Sequence, residues 1–259
     1  MLIGQSKLKS RLLDMIMANN LPNTIIVVGP RGQGKRSVVK WLAKTIQAPV
    51  YEPADLKIDS IREINNDSRT ISNPKVYLLA DCEKMTPQAQ NALLKLSEEP
   101  PEKAYIIMTV QDSGMLLPTI LSRSIVLRMD GYTQEELKNF TTDETLISIA
   151  QNPGNIERLK NNDYETLLKH AEMVAANVGK ISVANAFNIL KKVDKEDYEL
   201  FISMLIYTYG QMVKAGVSCE KALRVIHSTK NLLSMHTSIN KQNALEMMFV
   251  TLREVSYEV

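Results

Sequence analysis

Residues 24–28, TIIVV, form an unbroken run of apolar and β-branched positions that ends at Gly29. Such a run, without polar alternation, predicts a strand buried on both faces, as in a parallel sheet. After Lys35 the period changes: Val38, Val39, Leu42, Ala43 and Ile46 recur at helical spacing and predict a helix with one buried face. Two further apolar runs, residues 76–80 (VYLLA) and 105–110 (YIIMTV), bracket a second helix. Its signals are Thr86 as N-cap, Pro87 in the first turn, and a stop before Pro100 and Pro101. Alternating strand and helix predicts an α/β fold, a parallel sheet covered on both sides by helices. From about Gly131 the β-type runs cease and helical periodicity takes over, broken at Asn152, Pro153 and Gly154. The break predicts a small helical lid between the sheet domain and a terminal helical domain.

Between the first strand and its helix lies GPRGQGKRS. Gly, four residues, Gly, Lys is the phosphate-loop spacing, and Gly29, Gly34 and Lys35 satisfy it, with Gly32 adding a further bare position. Backbone N–H groups can converge on phosphate oxygens only where side chains do not intrude, and the helix N-terminus adds partial positive charge. Lys35 would reach the β- and γ-phosphates. The hydroxyl that should follow the lysine and ligate magnesium is replaced by Arg36, which cannot ligate a cation. Ser37 arrives one residue late, about 100° further round the helix. At the end of the second strand, Ala80 stands where a metal-coordinating acid belongs, Asp81 takes the place of the water-orienting glutamate, and Glu83 is left as an unaligned surface acid. The two departures agree, and a hydrolysing site is not expected. Gly29, Gly32, Gly34, Lys35, Arg36, Ser37 and Asp81 are the candidate nucleotide contacts; no metal is expected and no cofactor is required, although the loop could hold ATP or ADP weakly. Arg123, in Ser-Arg-Ser at 122–124, is on spacing alone a solvated charge or helix-end cation.

Composition narrows the classes. At 259 residues the chain is longer than a typical single domain. A formal net charge of +2 makes no global electrostatic case for nucleic acid. Cys82 and Cys219 lie far apart, neither in a Cys-x-x-Cys pair, so neither a disulfide framework nor a zinc site is expected. The first 20 residues alternate charged and apolar positions rather than forming an apolar signal, and no run is long enough to span a membrane, so a cytoplasmic location is expected. Trp41, the C-terminal methionines, His170, His227 and His236 read as packing or surface residues. Lys191, Lys192 and Lys195, mixed with Asp194, Glu196 and Asp197, read as a solvated turn or helix face.

GQSKLKSRLLDMIMANNLPNTIIVVGPRGQGKRS, IDSIREI, PKVYLLADCEKMTPQAQNALLKLSEEPP and LLPTILSRSIVL resemble, in order and spacing, the clamp-loader branch of the AAA+ ATPases. AQNALLKLSEEPP is the most diagnostic segment, and within that branch the likeness is to the delta-prime family of bacterial DNA polymerase III. The resemblance implies a P-loop sheet domain over 1–130, a helical lid over 131–163, and an oligomerising helical collar over 164–259. It also implies other clamp-loader subunits in a hetero-oligomer as partners, with a sliding clamp and primer-template DNA met through the complex. Arg123 falls on the arginine of the family's Ser-Arg-Cys motif, a trans-acting arginine finger, with Ser124 replacing the Cys. The family's lid arginine falls near Glu157, with Arg158 one place later. The zinc module of some bacterial members has no counterpart, since residues 48–75 contain no cysteine.

Overall fold

The structure, a computed structural model, describes residues 2–161, 164–177, 183–191, 193–194, 197–235 and 239–256. The chain forms two compact units, Met1–Phe140 with Asn152–Gly154, and Thr141–Gln151 with Asn155–Val259.

In the first unit, helix α1 (Ser6–Met17) precedes β1 (Thr24–Val28), and α2 (Lys35–Thr45) follows it; β2 (Val50–Tyr51), α3 (Ile58–Ser68), β3 (Lys75–Leu79), α4 (Pro87–Glu98) and β4 (Ala104–Val110) come next. The unit closes with α5 (Pro118–Leu121), β5 (Ile125–Arg128) and α6 (Gln134–Leu137). The strands are parallel in the order β2-β3-β4-β1-β5. Period-two alternation divides the core in two. Ile25, Val27, Val76, Leu78, Ile107 and Leu127 pack with Leu8 and Leu12 of α1 and Val38, Val39 and Leu42 of α2. Ile26, Val28, Tyr77, Leu79, Ile106 and Met108 pack with Ile61 and Ile64 of α3, Leu93 and Leu96 of α4, and Ile120 of α5. Thr86 caps α4 as the sequence predicts, its hydroxyl accepting from the Ala89 N–H at 3.2 Å, and Pro87 occupies the first turn.

Two strands carry no strong sequence signal. β2 is two exposed residues long, and β5 is a half-buried edge strand of four. Neither presents the continuous apolar run that marks β1, β3 and β4.

The second unit is helical: α7 (Glu144–Ala150), α8 (Pro153–Asn161, whose first two residues belong to the first unit), α9 (Tyr164–Asn177), α10 (Val183–Leu190), α11 (Tyr198–Lys214), α12 (Glu220–Met235) and α13 (Lys241–Ser256). α11 buries Phe201, Ile202, Met204, Leu205 and Tyr209 and packs against α7, α9, α12 and α13. A helix apolar on nearly every side belongs at the centre of a bundle. Asp197 corrects the solvated-turn reading: it is buried and pairs through Oδ1 with Arg158 Nε at 2.9 Å, because a buried carboxylate needs a charged partner. Lys192, Lys195, Glu196 and His236 lie outside the described residues. Among the described residues no helix is long and apolar enough to cross a membrane.

Candidate functional site

β1 ends at Val28, and the Gly29 amide donates to the Val110 carbonyl of β4 at 3.1 Å, so the loop departs from the carboxyl edge of the sheet. Gly32 and Gly34 adopt φ of 82° and 88°, left-handed values that favour glycine, before α2 begins at Lys35. The loop is covered by its own unit. The Gly154 amide donates to the Gly32 carbonyl at 2.9 Å, and Asn152 Nδ2 donates to the Arg31 carbonyl at 3.4 Å. A Cβ at Gly154 would stand 2.4 Å from Gly32 Cα, closer than any real Cβ contact, so the glycine permits the approach. Glutamines fasten the other side. Gln33 Nε2 donates to the Asp130 carbonyl, as does Gln5 Nε2 at 2.7 Å, and Tyr132 donates its hydroxyl to the Gln33 carbonyl at 3.2 Å. Sequence reading missed Gln5, Gln33, Tyr132 and the covering role of Asn152–Gly154, because no motif marks a glutamine that fastens a loop through main-chain bonds.

Lys35 is 7% exposed and folds back on the loop, donating from Nζ to the carbonyls of Gly29 at 2.6 Å and Pro30 at 3.0 Å. Burial pulls its pKa down, and the charges of Glu83 and Asp81 oppose that shift. Arg36 turns the other way. Its Nη2 lies 3.1 Å from Glu52 Oε1 and 3.7 Å from Asp81 Oδ2, while Lys84 Nζ approaches the same Asp81 oxygen at 3.7 Å. Asp81 adopts a left-handed φ of 58°, and its carboxylate sits between two side-chain cations. Ser37 is exposed. Glu83 is not the surface acid expected from its alignment. A short 3₁₀ turn over Cys82–Lys84 tucks it in, Oε1 accepts from Gln111 Nε2 at 2.8 Å, and Oε2 is buried without a hydrogen-bond partner.

The loop, Lys35, Arg36 and Asp81 are thus brought together, but the donor set does not fit magnesium. Arg36 contributes a cation where a hydroxyl oxygen would be needed, Ala80 offers no ligand, and Asp81 is already shared by Arg36 and Lys84. The lid arginine expected near Glu157 is likewise spent, since Arg158 pairs with Asp197.

Arg123 belongs to a separate corner. It follows α5, and its Nη1 donates back to the Thr119 carbonyl at 3.0 Å and to Ser122 Oγ at 3.4 Å. Nη2 pairs with Glu98 Oε1, on the last residue of α4, at 3.1 Å. The side chain is 37% exposed, and none of its partners belongs to the phosphate loop.

Residues 48–133 match the profile of a family described as DNA polymerase III, delta subunit. DNA polymerase III subunit tau of Bacillus subtilis is 23% identical, covering 99% of this chain and 54% of its own length. DNA polymerase III subunit gamma of Buchnera aphidicola is 24% identical, covering 73% of this chain and 62% of its own. The chain is thus similar to clamp-loader subunits of DNA polymerase III over these stretches. It spans about half the length of these curated relatives. Among solved structures, a DNA polymerase III gamma subunit-related protein from Thermotoga maritima superposes with TM-score 0.51 at 22% identity, covering 96% of this chain and 99% of that one. RuvB of the same organism shares the AAA+ fold at TM-score 0.51 and 18% identity over 64% of each chain.

Proposed function

We propose that this clamp-loader-family chain is a delta-prime-type subunit: it keeps the phosphate-loop fold, does not hydrolyse ATP itself, and lends Arg123 to the ATP of an adjacent subunit. In this reading the sheet domain 1–130, the lid 131–163 and the collar 164–259 form one arm of a cytoplasmic hetero-oligomer that places a sliding clamp on primed DNA. An arginine finger neutralises charge developing on the γ-phosphate, and its planar fork of donors matches phosphate oxygens in a way that ammonium does not. The observation that carries the reading is the state of the two loop cations: Lys35 is bonded to the loop's own carbonyls, and Arg36, where a metal-binding hydroxyl would stand, is paired with Glu52 and Asp81. A nucleotide would have to displace both.

Two other readings each have one observation in their favour. The buried, unpartnered Glu83 Oε2 favours an ATPase working at its own loop with Lys35 and Asp81. The bond between Arg123 and Glu98 favours a nucleotide-independent scaffold.

The isolated chain separates the first pair. It is expected to show no magnesium-dependent ATP turnover, and millimolar ATP with magnesium is expected to raise its melting temperature by far less than the roughly 5–10 °C that saturation at a hundredfold of Kd would give. Turnover abolished by Lys35→Ala, or a shift of that size lost on chelating magnesium, would overturn the degenerate-site reading.

A further inference from the structure

Arg123 and Glu98 meet across two motifs that are 25 residues apart in the chain. Glu98 ends α4, immediately before the Glu-Pro-Pro stop, and Arg123 lies two residues past the end of α5. Of the five N–H donors on the guanidinium, Nη1 uses two on Thr119 O and Ser122 Oγ and Nη2 uses one on Glu98. Among the described residues, the Nε–H and the second Nη2–H have no protein partner. A long side chain that would otherwise sample many rotamers is therefore pinned at one end of its fork, with two donors left over. Both partners of the ion pair are substantially exposed, at 37% and 50%, so the contact adds little to the stability of the fold while still orienting the fork.

We propose that Glu98 is a positioning residue for Arg123: its carboxylate, together with the Thr119 carbonyl, presents the guanidinium with donors free for the γ-phosphate of a nucleoside triphosphate bound by an adjacent subunit. The inference rests on the finger reading of Arg123. It adds a role for the first glutamate of Ser-Glu-Glu-Pro-Pro, which reaches the reaction only through the arginine it orients. Fixing the fork before the phosphate arrives removes rotamer entropy from the step that assembles the site.

The test is a double-mutant cycle in the reconstituted complex, with assembly verified by sedimentation for every variant. Glu98→Gln, which keeps the shape and removes the charge, is expected to lower the kcat for ATP roughly 3- to 30-fold, within the range of couplings between side chains in contact, with KM little changed. Glu98→Asp is expected to recover part of the loss. In an Arg123→Ala background, Glu98→Gln is expected to have no further effect. A Glu98→Gln complex that turns over ATP at the wild-type rate or faster, or one whose loss persists in the Arg123→Ala background, would overturn the positioning role. If Arg123→Ala alone leaves turnover intact, the finger itself fails and Glu98 falls with it; slow Arg123→Ala with normal Glu98→Gln condemns only the present inference.

Discussion

Lys35 and Arg123 are cations of the same compact unit, and they are held in opposite ways. Lys35 is buried, and both of its bonds go to carbonyls of the loop it should serve. Arg123 is partly exposed, held by one carbonyl, one hydroxyl and a half-exposed carboxylate, with donors to spare. The first satisfies carbonyls of its own loop; the second keeps donors free. A phosphate-loop pattern shows a fold, and in the proposed function this contrast is what separates that fold from its usual activity.

The closure of the loop is the strongest part of the contrast to attack. Gly154→Ala places a Cβ 2.4 Å from Gly32 Cα, a clash between two backbones that no rotamer relieves. It is expected to destabilise the protein by about 1–3 kcal/mol, or to lift Asn152–Gly154 off the loop. A variant with unchanged melting temperature and unchanged hydrogen exchange at Gly32 would show that the cover is not tight.

The two cations should also differ in what their loss costs. Lys35→Ala leaves the buried Gly29 carbonyl without its donor and is expected to cost about 1–3 kcal/mol in denaturant unfolding. Arg123→Ala breaks an exposed pair and is expected to change stability by less than about 1 kcal/mol. Equal costs would erase the distinction between an inward and an outward cation.

A smaller effect tests the burial of Lys35 by pH. Burial holds Lys35 below the ordinary lysine value of 10.5, so on raising pH the folded chain gives up this proton before the unfolded chain does. In that alkaline window the unfolded state binds more protons, and the Lys35 contribution to stability rises with pH until both states are neutral above 10.5. The stability of wild type relative to Lys35→Met should therefore increase on approaching pH 10.5. A Lys35→Met difference independent of pH would mean that the ammonium is solvated rather than buried.

Much of this was legible in the sequence, and the omissions have physical causes. The continuous runs at 24–28, 76–80 and 105–110 mark strands buried on both faces, whereas Val50–Tyr51 is too short and Ile125–Arg128 too exposed at the sheet edge to stand out. Arg36 and Ala80 reveal the departure from a metal site because a metal demands particular donor types at fixed positions. The fate of those cations was not legible: which oxygens receive Lys35, and which carboxylates receive Arg36, depends on main-chain carbonyls and on Glu52, 16 residues away. Glu83 looked like a surface acid since position in an alignment says nothing of the 3₁₀ turn that buries one of its oxygens. Asn152, Pro153 and Gly154 read as a helix break, which they are, but the missing Cβ of Gly154 matters for contact with a loop more than a hundred residues earlier.

In the proposed function this chain keeps its loop lysine on its own carbonyls and offers Arg123 to a neighbour. The most direct measurement is ATP turnover by the reconstituted clamp-loader complex carrying wild type, Lys35→Ala or Arg123→Ala in this subunit alone, each confirmed as intact by sedimentation. Turnover at the neighbour's site is expected to be unchanged for Lys35→Ala and to fall about 10³- to 10⁵-fold for Arg123→Ala. Turnover that falls with Lys35→Ala and survives Arg123→Ala would contradict it.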